Sequence, residues 1–173
     1  MKNLIDPAAL TRALSGQYAA ALQTLQQCID MCDDSRWAAA HPDTPVNQVV
    51  FHTLFYTDYY LGRGDSGFRQ QEFHLDNPEL FQDYEELVDR IPENFYSREG
   101  CLAYLAHCRV RMETVLAAED AGVLSGDCGF PRRNLSRLEL HIYNIRHIQH
   151  HAAQLGLRNQ LAGGEALRWV GKG

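Results

Sequence analysis

Apolar positions along this chain recur every three to four residues, and no segment alternates in the way a half-buried strand requires. From Asp6 to about Met31 the stripe Leu10, Leu14, Ala21, Leu25 and Cys28 has helical spacing. Asp6-Pro7 supplies an N-cap and a proline for its first turn, and Asp33-Asp34-Ser35 ends it. Thr44-Pro45, again a cap followed by proline, announces a second helix to about Leu61. That helix is apolar nearly all round, with Val46, Val49, Val50, Phe51, Leu54, Phe55, Tyr56, Tyr59 and Tyr60. Such a helix either lies at the centre of a fold or gives one face to a second copy in a homodimer.

Residues 62–77 read as a loop, and Asn77-Pro78 opens a short helix to about Asp89. Ile91-Pro92 breaks the pattern before Ser97 caps a third long helix, to about Ala121. Its predicted inner face holds Leu102, Leu105, Val110, Met112, Val115 and Leu116, with Cys101 and Cys108 on the stripe of Leu105 and Met112. Gly122, Gly126, Gly129 and Pro131 make a turn-rich connection. The last helix starts near Asn134 or Ser136, where Ser136-x-x-Glu139 is a capping box, and runs about 40 Å to Leu161. In the tail, Glu165 to Gly173, Trp169 is expected to fold back onto the bundle. Four long helices with short-to-medium connections predict an all-α antiparallel four-helix bundle with a short extra helix, as a single domain over residues 1–173.

Composition narrows the function. With 45% apolar and 22% charged residues over 173 positions, the chain is globular. Its apolar runs are too short to span a membrane, and Met1–Asp6 lacks the features of a secretion signal, which predicts a cytoplasmic protein. The net charge is −6, and the fourteen arginines and two lysines are scattered, with Arg132-Arg133 the sole basic doublet. Nucleic acid is not the expected partner. Five cysteines without a Cys-x-x-Cys pair read as free thiols rather than a disulfide framework.

The eight histidines carry the chemistry. His147 and His151 are four apart on the last helix, about 40° apart in projection and one turn above one another, so both imidazoles can reach one ion. They fall at the margin of the buried arc drawn by Leu140, Ile145, Ile148, Ala152 and Leu155. His150 and Tyr143 lie beyond that margin, and His141 falls inside it, where a hydrogen-bonded core histidine is expected. A catalytic site for a borderline metal takes three protein ligands and keeps a position open. His52, midway along the apolar second helix among Gln48, Phe55, Tyr56 and Tyr59, is the best third ligand and suggests an aromatic-walled pocket. His41 and His74 belong to loops without an assigned role, and His107 packs or faces solvent. Imidazoles suit zinc, nickel, copper or ferrous iron alike. Ile148 follows His147 where a His-Glu-x-x-His peptidase needs its glutamate, so that chemistry is not supported. Against the metal stands a bland alternative, a bundle whose histidines merely pack.

His147-Ile148-Gln149-His150-His151-Ala152-Ala153-Gln154-Leu155 resembles the His-x-x-His-His-x-Gly-Gln-Leu signature of the DinB-like superfamily, and Val46–Leu61 with His52 resembles that family's second helix. The resemblance implies a four-helix bundle with a divalent metal ion (zinc, nickel or iron) on His52, His147 and His151. His150 matches a second histidine common in the family, with a supporting role, and Gln154 is placed to hydrogen-bond near the site. The family's glycine is Ala153 here, a departure that bears on helix–helix closeness. Characterised relatives include bacillithiol- or mycothiol-dependent S-transferases and a mycothiol-dependent isomerase. The implied function is a metal-dependent transferase or hydrolase acting on a small-molecule electrophile or thiol, with a low-molecular-weight thiol as cofactor. The alternative is a non-catalytic metal-binding or stress-response protein. Asp58 lies on a different face from His52, so no general base is evident.

Overall fold

The structure, a computed structural model, describes residues 6–39, 44–87 and 93–173. The expectations placed on residues 1–5, His41 and the Ile91-Pro92 break lie outside these residues. Four long helices form the frame: α1 (Pro7–Met31), α3 (Val46–Leu61), α5 (Arg98–Ala118) and α7 (Arg137–Leu161). Between them lie α2 (Asp34–Ala38), α4 (Glu72–Asp76) and α6 (Ala121–Ser125), with 3-10 turns at Phe68–Gln70 and Gln82–Leu87. No strand occurs among the described residues.

The ends follow local chemistry. Asp6 caps α1 through the amide of Ala8, Ser97 caps α5 through that of Gly100, and Ser136 with Glu139 forms the expected capping box of α7. Helix α3 differs, because Pro45 occupies its N-cap position with no side-chain cap, so Thr44 does not play that part. Its other end is held by Arg137, fully buried, whose guanidinium donates to the carbonyls of Tyr60, Leu61 and Gly62 and pairs with Glu119 at 2.7 Å. A cation there satisfies carbonyls that a helix terminus leaves unpaired.

Each of α1 and α3 packs on both α5 and α7. Directions follow from the contacts. Tyr18 meets His141 and Cys28 meets Ala152, so α1 and α7 run the same way. Leu54 meets Cys108 and Asp58 meets Arg111, so α3 and α5 share a direction. Thr57 meets Asn144 and His52 meets His147, so α3 and α7 oppose one another. Two helices thus run each way, and the parallel neighbours α3 and α5 need a connection that returns along the bundle. Residues 62–97 make that return.

Several expectations are corrected here. The region read as a loop at 62–77 contains the Phe68–Gln70 turn and α4, and the helix expected from Asn77 to Asp89 is, where described, a turn followed by the 3-10 segment Gln82–Leu87. Residues 33–38 form α2, capped by Asp33, rather than a plain stop, and α5 ends at Ala118 before a separate α6. His74 is buried on α4 instead of lying in an idle loop. Val110 is 65% exposed, because it sits about 140° round α5 from Leu105. The buried face is Cys101, Tyr104, Leu105, Cys108, Met112 and Leu116.

Trp169 is 87% exposed, and Leu167 packs on the core in its place, against Gly156. The amide of Gln27 holds the tail by bonding both the N–H and the carbonyl of Arg168. Helix α3 buries twelve of its sixteen residues within this chain, which gives its all-round apolar character a use without a second copy. Among the described residues no helix is long and apolar enough to cross a membrane.

Candidate metal centre

His52 on α3 and His147 and His151 on α7 converge, each contributing one nitrogen to a set lying within 4.8 Å of one another. The antiparallel crossing of α3 and α7 brings His52 level with the i, i+4 pair, and the ring centroids lie 4.6 to 5.3 Å apart. The Nε2 atoms of His52 and His147 face each other at 3.4 Å. That is long for a hydrogen bond, and it matches the roughly 3.4 Å between two nitrogens at about 2.0–2.1 Å from a tetrahedral ion.

The remaining ring nitrogens are consistent with this arrangement. His52 Nδ1 lies 2.6 Å from a carboxylate oxygen of Glu86, so a neutral ring keeps its free lone pair on Nε2, toward the other histidines. His151 Nδ1 donates to Gln154 Oε1 at 2.9 Å, with the same result. His147 Nδ1 is buried without a hydrogen-bond partner among the described residues. Burial, then the neighbouring imidazoles, lower the pKa of His147 to about 3 and that of His151 to about 4. Both rings are therefore neutral near pH 7, the form a metal needs. Three imidazoles, two of them oriented by an outer hydrogen bond, fit a borderline divalent cation.

Tyr56 walls the site, its ring 4.9 Å from that of His52 and 5.9 Å from that of His147, and its hydroxyl donates to the Glu86 carbonyl. Burial raises its pKa, so it stays a protonated donor. Tyr60 follows, 6.3 Å from His147. Gln154 lies where the resemblance put it, and His150 is exposed beside His151. Ala153, the departure from the family's glycine, is exposed, so no helix among the described residues packs on it.

His141 is a satisfied core residue, bonded to the Tyr18 hydroxyl and to Glu119. Asp58 is fully buried and committed elsewhere, to Arg111 at 2.5 Å, His74 at 2.8 Å and the Tyr104 hydroxyl at 3.0 Å. His107 stacks on Phe73 at the edge of that second network and bonds Gln71. Glu86 is the residue that sequence reasoning missed. It reaches the site from the 3-10 segment of the return crossover, thirty-four residues from its partner, with no periodic relation to mark it.

A family model described as the DinB superfamily matches residues 6–155. The chain belongs to the DinB superfamily. The match takes in α1, α3 and α5 whole, α7 as far as Leu155, and the whole three-histidine cluster. Neither the curated proteins nor the solved structures yielded a match.

Proposed function

We propose that this DinB protein is a metal-dependent enzyme that activates a small thiol for transfer to an electrophile, with His52, His147 and His151 as ligands. One observation carries the reading: three imidazoles converge with His52 Nε2 and His147 Nε2 only 3.4 Å apart and no fourth metal-binding side chain in the cluster among the described residues. Three ligands leave a position for an exchangeable partner, which distinguishes a catalytic site from a closed structural one. A divalent ion there would lower the pKa of a coordinated thiol and so supply a nucleophile at neutral pH.

Around that position, each side chain has a defined part. Glu86 and Gln154 hold the rings of His52 and His151 in register. Tyr56 and Tyr60 shield the site from water and present protonated phenols. Glu86 is engaged with His52 and Asp58 with Arg111, which leaves neither free as the base that hydrolysis of an unactivated substrate requires. Burial pushes Cys28 and Cys101 up to about 12 and raises Cys108 well above its ordinary value, so none of these three thiols supplies the thiolate, and the reading takes the reacting sulfur from a small thiol. In the transfer the thiol sulfur bonds to the electrophilic carbon, a halide leaves with the bonding pair, and the thiol proton passes to solvent.

The test is alkylation of 2-mercaptoethanol by monochlorobimane with zinc-, nickel- or iron-loaded protein. The expected result, with at least one metal, is a rate at least about tenfold above that of metal-free protein and of His52→Ala. Equal rates with every metal would leave the non-catalytic metal-binding reading in its place.

A further inference from the structure

Beside the three histidines a cavity of about 750 Å³ opens, within the range of small-molecule sites. Its lining includes Tyr56, Tyr60 and Glu86, which border the metal centre, together with Arg63, Arg132 and Arg133. Three arginines around one cavity are unexpected in a chain of net charge −6. None of the three forms an ion pair among the described residues. Two carboxylates share the lining, and both are engaged: Glu86 with His52, and Asp65 as acceptor of the Tyr59 hydroxyl.

Arg133 is also held in place. The Arg133 guanidinium lies between two rings, 4.7 Å from the centroid of Tyr60 and 4.5 Å from that of Tyr143, and donates to the Tyr60 hydroxyl at 2.5 Å. Tyr60 in turn lies against His147, so one ring separates this cation from the metal centre. The loop around it is closed by Arg133 N–H to the Phe130 carbonyl and Cys128 N–H to the Leu135 carbonyl. It meets the Arg63 loop back to back. A Cβ on Gly64 would stand 2.9 Å from the Gly129 carbonyl oxygen, and one on Gly129 would stand 3.0 Å from the Arg63 backbone. Both glycines have positive φ, +94° and +87°, so only glycine lets the two loops touch in this way. A guanidinium fixed in advance by stacking, as that of Arg133 is, binds an anion with little ordering cost.

We infer that this cavity is an anion subsite of the metal centre. A small organic acid places its carboxylate on Arg133, with Arg63 and Arg132 at the rim, and its body along the tyrosine wall toward the histidines. The inference deepens the metal-thiol reading and rests on it for the orientation of the ligand, while the preference for an anion stands on the arginines alone.

The probes are 6-mercaptohexanoate and 6-mercaptohexanol, matched in length and in the environment of sulfur and differing in charge at the far end. Binding to zinc-loaded wild type is followed by calorimetry. The acid is expected to bind about tenfold or more tightly than the alcohol, as charge-assisted hydrogen bonds to arginine imply. That ratio falls toward one in Arg133→Gln. It also falls in the wild type as salt rises from about 0.05 to 0.5 M, a readout that needs no variant to fold. Equal affinities in the wild type, or a preference that survives both Arg133→Gln and salt, would overturn the subsite. Should the wild type take up no metal, the metal reading fails by itself. The same ratio is then measured on metal-free protein by NMR chemical shifts, and the same two results decide the subsite.

Discussion

At the scale of single residues, the site depends on which ring nitrogen is left free. His147 and His151 announce themselves in the sequence because two histidines four apart on a helix share a face, and His52 because it interrupts an otherwise apolar helix. Glu86 could not be found in that way, since it acts from a crossover whose path depends on the bundle's topology. Its role is measurable. Glu86→Gln keeps the size of the side chain and removes the charge facing His52, and metal affinity is expected to fall about 10- to 100-fold in a competition titration. An unchanged affinity would show that His52 needs no carboxylate behind it. The pH dependence follows from the same rings. Burial and the neighbouring imidazoles lower His147 to about 3 and His151 to about 4, so the unfolded chain binds more protons than the folded one below its ordinary histidine pKa of about 6.5. Stability of the metal-free protein from these two residues is whole above that pH and is lost as pH falls toward 4 and 3. Thermal melts should show this decline, and it should be shallower in His147→Gln.

At the scale of elements, the four long helices were legible because caps and apolar periods agree: Asp6-Pro7, Ser97 and the Ser136/Glu139 box all stand where the chain turns into helix. For single side chains the departures share a cause, which is that an apolar side chain shows no direction by itself. Val110 was drawn inward although it lies across α5 from the true face, and Trp169 was expected to fold back although Leu167 meets Gly156 instead. Short elements escaped for another reason. Helix α4 and the turn at Gln82–Leu87 are too short to display a period, and they are fixed by what they deliver, including His74 to Asp58 and Glu86 to His52. Arg137 is the clearest case of one residue acting on an element. It is fully buried and ties the end of α3 to the start of α7, so Arg137→Ala strands three carbonyls and Glu119. Loss of about 3–5 kcal/mol is expected in denaturant unfolding. A loss below about 1 kcal/mol would mean that water replaces the guanidinium at little cost.

At the scale of the molecule, topology creates the site. Helices α3 and α7 run in opposite directions, which brings the middle of one level with the histidine pair of the other. Because α3 and α5 run the same way, the chain must return along the bundle between them, and that return brings Glu86 behind His52. Membership of the DinB superfamily agrees with this architecture over residues 6–155. The central claim is that His52, His147 and His151 form one metal centre, and metal content tests it most directly. Untagged protein, free of added histidines, would be assayed by mass spectrometry beside His52→Ala and the double variant His147→Ala/His151→Ala. Close to one divalent metal ion per chain is expected in the wild type, with its loss in both variants. Wild type that carries no metal and takes up none from added zinc, nickel or iron would contradict it, as would variants that keep the full content.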